Sequence, residues 1–323
     1  MAGKRVTIRD VAISAGVSYQ TVSRALNDKP EIDATTKERV LDAARELGFR
    51  PSRFARALVR QDTTSVGLVI PDLLNPFFTE VASAALEAAR KRGWHVVVYD
   101  TAGDGEQELG TLEVIGSQVD AIVGYLNAPA DVVARYTGGI PVVYIGRESA
   151  GASFGSIRVD GEAGIHAAVA HLVAGGRCRI GMLDHEHAAP SARSRWYLDA
   201  LRSHGLSGWV LGAGQSVEGG EIGVAALLDA HPDLDGLLTY NDVIAIGAVR
   251  RARMLGRRVP QDCAVIGFDG VQIGSLVEPP LSTVRIDTRQ LGALAVEQVA
   301  TLLAGATPEV TTITGTLVLR GTA

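Results

Sequence analysis

Gln20 and Arg24 stand four residues apart, one helical turn, with Tyr19, Thr21 and Ser23 beside and between them. These side chains suit the reading of base edges. Gln can pair with an adenine edge and Arg with guanine, each through two hydrogen bonds, while Tyr adds packing and one further bond. A good bidentate pair discriminates by roughly 1–3 kcal/mol. To reach a groove, such groups need one helix lying in it and a second braced on the backbone. The run from Thr7 to Leu26, TIRDVAISAGVSYQTVSRAL, predicts both. Gly16 supplies the positive φ that ends the first helix, Ser18 can cap the second, and Val17 plugs the small core. Val11, Ala12, Val22 and Leu26 are predicted to face inward. That leaves Tyr19, Gln20 and Arg24 outward; the plain alternative is an ordinary exposed polar face.

A third helix is predicted over 36–47, opened by the capping box Thr35-x-x-Glu38, with Val40, Leu41, Ala44 and Leu47 on one face. Charge follows the same division. Residues 1–60 hold 12 Lys/Arg against 7 Asp/Glu, a charge of +5, which leaves −10 on the remainder of the 323-residue chain. A positive head on a negative body confines any nucleic-acid contact to the head. Residues 50–64 then read as a linker with a two-turn helical pattern, too short to be stable in isolation.

From Val66 strands and helices alternate, which implies parallel sheets with helices on both faces. Predicted strands are 66–71, 95–100, 121–126, 142–145, 156–159, 180–183, 236–239, 264–267 and 283–286, enough for two sheets. The ligand site of such folds lies beyond the carboxyl ends of the strands, here in a cleft between two lobes. Cys178 and Cys263 show no disulfide or metal spacing and read as buried small hydrophobes. His185 and His187 read as loop residues. The N-terminus lacks an apolar signal core and no run is long enough to span a membrane, so a cytoplasmic protein is expected. There is no G-x-S-x-G elbow, Walker loop or His/Glu metal motif, which points away from an enzyme, and no cofactor is expected.

Together these motifs resemble the lactose/galactose repressor family of bacterial transcriptional regulators. The resemblance rests on DVAISAGVSYQTVSRALN, RPSRFARAL, VGLVIPDLLNPFF, RVDGEAG, SARSRWYLDAL, TYNDVIAIGAVR, VIGFDG and PPLSTVRID, in the family's order and spacing, with YQTVSR in the form of its lactose branch. It implies an all-α helix-turn-helix head (1–49), a hinge (50–63) and a two-lobed α/β core (64–323) like the periplasmic sugar-binding proteins. The first lobe would take 64–160 plus 289–320 and the second 161–288. Tyr19, Gln20 and Arg24 would be the main base readers, with Thr7, Ser18, Thr21, Ser23 and Asn27 also at the DNA. In the hinge, Ser52, Arg53, Ala55, Arg56 and Leu58 would meet the duplex, Leu58 as a minor-groove wedge. Ser52 stands where the family usually has Asn.

For the effector the resemblance implies Asn75, Phe77 and Phe78 after the first strand, with Arg195, Asn241 and Asp269 as the strongest candidates. Ser191, Arg193, Arg147 and Asp160 are weaker; Asp160 could equally be a helix cap, and Asn241 is a good N-cap whatever else it does. The chain departs from the lactose-repressor pattern at Gly146, Gln215, Ile286 and Thr288, so the effector need not be a β-galactoside. The family reading is a homodimer on a palindromic operator, released by a sugar or sugar derivative, with its interface near 78–92 and no tetramer-forming tail. A corepressor mechanism with a purine or phosphorylated metabolite is the nearest alternative. A transport-type binding protein is further off, lacking its signal peptide.

Overall fold

The computed structural model describes residues 8–26, 32–47, 63–148, 153–186 and 189–323. Thr7, Asn27 and the hinge candidates Ser52, Arg53, Ala55, Arg56 and Leu58 lie outside these residues, as do His187 and the side chain of Ser23. The chain divides at Thr64/Ser65 into two units, taken here one at a time.

In the N-terminal unit α1 is Ile8–Ala15, α2 is Tyr19–Leu26 and α3 is Ala34–Glu46. Gly16, at φ +62°, ends α1, and Val17 N–H returns to Ala12 O at 3.0 Å. Ser18 Oγ then accepts Thr21 N–H at 3.0 Å, satisfying an orphan donor of α2. Val11, Val22 and Val40 are fully buried where the helices meet. Two details differ from the sequence expectation. The cap of α3 is Asp33, whose Oδ1 accepts Thr36 N–H at 2.9 Å, so the helix begins earlier than the Thr35 box predicts. Those Thr36 hydrogen bonds also lower the Asp33 pKa. The inner face carries Ala43 while Leu47, just past the helix end, is exposed.

The second unit contains two six-stranded sheets. In the first, β1 (Ser65–Ile70), β2 (His95–Asp100), β3 (Ala121–Gly124), β4 (Val142–Ile145) and β5 (Phe154–Asp160) alternate with helices α4 (Pro76–Lys91), α5 (Gly105–Gly116) and α6 (Ala130–Thr137). Then α7 (Glu162–Ala174), β6 (Ile180–His185), α8 (Ala192–Ser203), β7 (Trp209–Ala213), α9 (Val217–Ala230), β8 (Gly236–Thr239), α10 (Asp242–Met254), β9 (Ala264–Asp269) and β10 (Ser282–Arg285) build the second. Finally α11 (Thr288–Leu303) and β11 (Thr311–Thr314) return to the first sheet, and β12 (Thr316–Val318) closes the second.

The strand orders are β2-β1-β3-β4-β5-β11 and β7-β6-β8-β9-β10-β12, the same winding twice. All pairings are parallel except β12 with β10. Helices cover both faces of each sheet, and near-continuous apolar strands such as β3, β4 and β9 are buried throughout, as is β1 after Ser65, which two-sided coverage requires. The chain passes between lobes three times, after β5, after β10 and between β11 and β12. Residues 316–318 pair in the second sheet, whereas the sequence expectation runs the first lobe on to 320. Cys263 is buried, and burial pushes its thiol up to about 12, but Cys178 is exposed in the turn before β6.

Candidate functional site

In a sheet wound 2-1-3-4-5 the loops after strands 1 and 3 leave in opposite directions and open a crevice. Here that rule applies twice. In the first lobe it selects the loops after β1 and β3, in the second those after β6 and β8.

The first-lobe side of the crevice is aromatic. Asn75, buried, caps α4 by accepting Phe77 N–H at 3.0 Å on Oδ1. That cap fixes Phe77 and Phe78, whose rings meet edge to face at 5.4 Å. Phe78 meets Tyr125, just past β3, at 5.0 Å and 76°. The loop carrying Tyr125 is pinned from below. The buried Glu108 carboxylate accepts the N–H groups of Asn127 (3.0 and 2.9 Å) and Ala128 (2.8 Å), and Tyr144 Oη donates to Ala128 O at 3.1 Å.

On the second-lobe side the charges converge. Arg193, in the first turn of α8, places its guanidinium carbon 3.7 Å from the centre of the Phe268 ring and 4.3 Å from that of Tyr240. It donates to Tyr240 O and lies 3.5 Å from Asp269 Oδ1, both side chains being largely buried. Asp269 ends β9 with φ +112°, a backbone region costing an ordinary residue of order 1–3 kcal/mol. Burial pushes its carboxyl pKa well up; Arg193 opposes this, while Asp242 and Glu80 add to it. Behind it the buried Asp242 accepts Gly270 and Val271 N–H at 2.8 Å and the Thr283 hydroxyl at 2.6 Å, holding the end of β9. Desolvation still raises the Asp242 pKa to about 7. The lobes also touch through Glu80 of α4, which accepts Gln272 N–H at 2.9 Å and, from the start of α11, the Thr288 hydroxyl at 3.3 Å within the first lobe.

A guanidinium beside a carboxylate, in one crevice with a cluster of aromatic rings, can grip a hydroxyl pair while a ring covers an apolar sugar face. In the N-terminal unit, Tyr19 is 57 % exposed, and Gln20 and Arg24 are exposed beside it on α2, with Thr21 half-buried. A helix bearing those groups outward from a buried valine seam has the form needed to enter a major groove.

Comparison with known proteins is consistent with both halves. Residues 7–52 match the family described as bacterial regulatory proteins, lacI family, and residues 169–323 match a periplasmic binding protein-like domain. The ribose operon repressor of Halalkalibacterium halodurans is 33% identical over 304 residues, covering 90% of this chain and 88% of that protein. The chain belongs to the lacI family. A solved lacI-family regulator from Arthrobacter sp. FB24, in complex with lactose, is 39% identical with a TM-score of 0.75, covering 80% of this chain and 99% of that one. The lac repressor dimer bound to operator and an anti-inducer aligns over 99% of both chains, with 26% identity and a TM-score of 0.74. This lacI-family chain is therefore a DNA-binding transcriptional regulator.

Within that framework some expected effector residues converge and others do not. Phe78, Asn241 and Asp269 lie at the crevice loops, and Phe77 is buried beneath Phe78. Arg195 is exposed and donates to Pro190 O at 3.1 Å, while Arg193 lies against Tyr240, Phe268 and Asp269. The reason is helical phase. Ser194, Tyr197 and Leu201 form the buried face of α8, and at roughly 100° per residue Arg193 flanks that face while Arg195 points away. Asn75, Ser191 and Asp160 hold helix starts, Ser191 Oγ accepting Ser194 N–H and Asp160 Oδ1 accepting Glu162 N–H, both at 3.0 Å. Arg147 is exposed and donates to Asn127 O at 2.7 Å. Asn241 caps α10 through Oδ1, but its Nδ2 is buried without a partner. Sequence reading missed Tyr125, Tyr240, Phe268 and Glu80. The place of Tyr125 and Tyr240 directly after switch-point strands is the signal that would have found the two tyrosines.

Proposed function

We propose that this chain is a homodimeric repressor that binds a palindromic operator and releases it when a neutral sugar enters the crevice. Each head would read one half-site through Tyr19, Gln20 and Arg24, with Ser18, Thr21 and Ser23 at the duplex. Two heads on a palindrome require a two-fold axis. The hinge over 50–63, with Ser52, Arg53, Ala55, Arg56 and Leu58, would order on the operator, with Leu58 opening a base step. Thr7 and Asn27 would flank the reading helix. We place the domains at 1–49, 50–63 and 64–323 and the protein in the cytoplasm; no helix of the described residues is long and apolar enough to cross a membrane.

The observation that carries the effector reading is the Arg193–Asp269 pair opposite the Phe78/Tyr125 wall. The guanidinium is already occupied by Asp269 Oδ1 at 3.5 Å, by Tyr240 O and by the faces of two rings, which leaves it few free donors for a phosphate. Neutral polyols fit such a site better than phosphorylated metabolites do. Lactose in the Arthrobacter regulator and the ribose operon of the H. halodurans repressor support a sugar.

The test is a gel shift of the full chain on a palindromic operator selected from random duplexes, titrated with lactose, cellobiose, ribose, glucose 6-phosphate and guanine. Release by a neutral sugar is expected. Tightening by guanine, or release by the phosphate alone, would overturn the reading. Coupling of roughly 1–3 kcal/mol corresponds to a 5–150-fold change in operator affinity.

A further inference from the structure

The Tyr125 hydroxyl is buried and has no hydrogen-bond partner, although the loop that carries it is held firmly. Four contacts fix that loop: Tyr125 N–H on Val69 O (3.1 Å), the Glu108 carboxylate on two successive N–H groups, Tyr144 Oη on Ala128 O, and Arg147 on Asn127 O. Phe77 and Phe78 then confine the ring edge to face, at 6.2 and 5.0 Å. A Cβ at the neighbouring Gly146 would lie 3.7 Å from the Tyr125 ring, an ordinary contact distance. Across the crevice its hydroxyl lies within the fields of Asp269 and Arg193, which act on it with opposite sign.

An unsatisfied buried hydroxyl is costly, and one kept in a native fold calls for an explanation, of which a partner that arrives with the ligand is one. A purely structural tyrosine would have used its oxygen inside the protein, as Tyr144 and Tyr197 do on Ala128 O and Ile180 O. Resting on the sugar reading above, we propose that Tyr125 is a specificity-determining residue: its hydroxyl takes one effector hydroxyl from the first-lobe side, while Arg193 and Asp269 hold another from the second. The ligand class follows from the pieces. It is an uncharged ring with hydroxyls on two opposed edges and a C–H face for Phe78. An effector with a hydroxyl on one edge only would leave either the tyrosine or the ion pair unmatched.

The experiment compares wild type, Y125F and the control Y136F, which alters an exposed tyrosine of α6. Lactose, cellobiose and ribose are titrated calorimetrically into each full-length protein, and operator affinity and Tm are measured without sugar. Y125F is expected to bind the responsive sugar at least 10-fold more weakly, with unchanged operator affinity and an unchanged or higher Tm, because a group without a partner has been removed. Y136F should match wild type throughout. If wild type and Y125F bind the sugar equally, the assignment of Tyr125 is wrong while the sugar reading stands. If Y125F lowers the sugar-free Tm by several degrees, the hydroxyl is structural and the assignment is equally wrong. If wild type ignores all three sugars, the sugar reading falls and this inference with it.

Discussion

The two lobes share one winding order and each sets a tyrosine directly after its third strand in that order, Tyr125 and Tyr240, but they surround it with different partners. After β1 and β3 the first lobe presents Phe77, Phe78 and Tyr125; around β6, β8 and β9 the second collects Asp184, Arg193, Asp242 and Asp269. Repetition of a fold therefore fixes where a site lies, not what it recognises. The second lobe shows the same lesson on a smaller scale. Burial pushes the Asp184 carboxyl up, yet hydrogen bonds from Ser191, Ser194 and His185 outweigh it and leave the pKa lowered. Asp242 accepts three hydrogen bonds and is still raised, because it is almost completely buried.

If the charged lobe is the strained one, its stability should depend on pH. Asp242 has a pKa of about 7 folded, against about 3.9 in an unfolded chain. The folded state thus holds the proton more tightly. Its contribution is complete below pH 4 and is lost as pH rises through 7, by up to about 4 kcal/mol. Urea unfolding from pH 4.5 to 8 should show the decline, and D242N should flatten it; equal slopes in both proteins would remove Asp242 as the cause.

Next in size is the loss of the crevice cation. R193A should weaken the responsive sugar about 100-fold, near 2.7 kcal/mol, whereas R195A should change it less than 2-fold. Calorimetry on both variants decides between the two arginines, and the reverse ranking would return the site to Arg195.

Helix packing offers a third comparison. In the second lobe a Cβ at Gly247 of α10 would lie 1.9 Å from Val217 O, and in the first a Cβ at Gly292 of α11 would lie 2.7 Å from Val81 O. Overpacking costs typically about 1–3 kcal/mol. G247A should therefore sit at the upper end and G292A lower, as read from denaturation midpoints. The smallest effect is expected outside the core. S18A removes the cap of α2, worth about 1 kcal/mol, so operator affinity should fall about 5-fold with sugar affinity unchanged.

How much was legible without coordinates varied with how local the cause was. The helix-turn-helix was readable because Gly16, Ser18 and the valine seam act within a few residues. The alternation of strands and helices was equally plain, yet β7, β11 and β12 escaped. β7 is an edge strand with alternating exposure, and β11 and β12 are three- or four-residue strands that exist through their partners. In the motif SARSR both arginines look alike as text, and the phase of the buried face of α8 separates them.

The sequence by itself determined the modular order, the cationic reading head and the doubly wound core, because capping, periodicity and charge are properties of neighbouring residues. Tertiary structure alone decided which arginine lies against Asp269, that the Tyr125 hydroxyl is buried without a partner, and which carboxylates are raised or lowered. Those outcomes depend on desolvation and on contacts between residues up to about two hundred positions apart, such as Glu80 with Thr288, and energies of that kind come into being only when the chain has closed on itself.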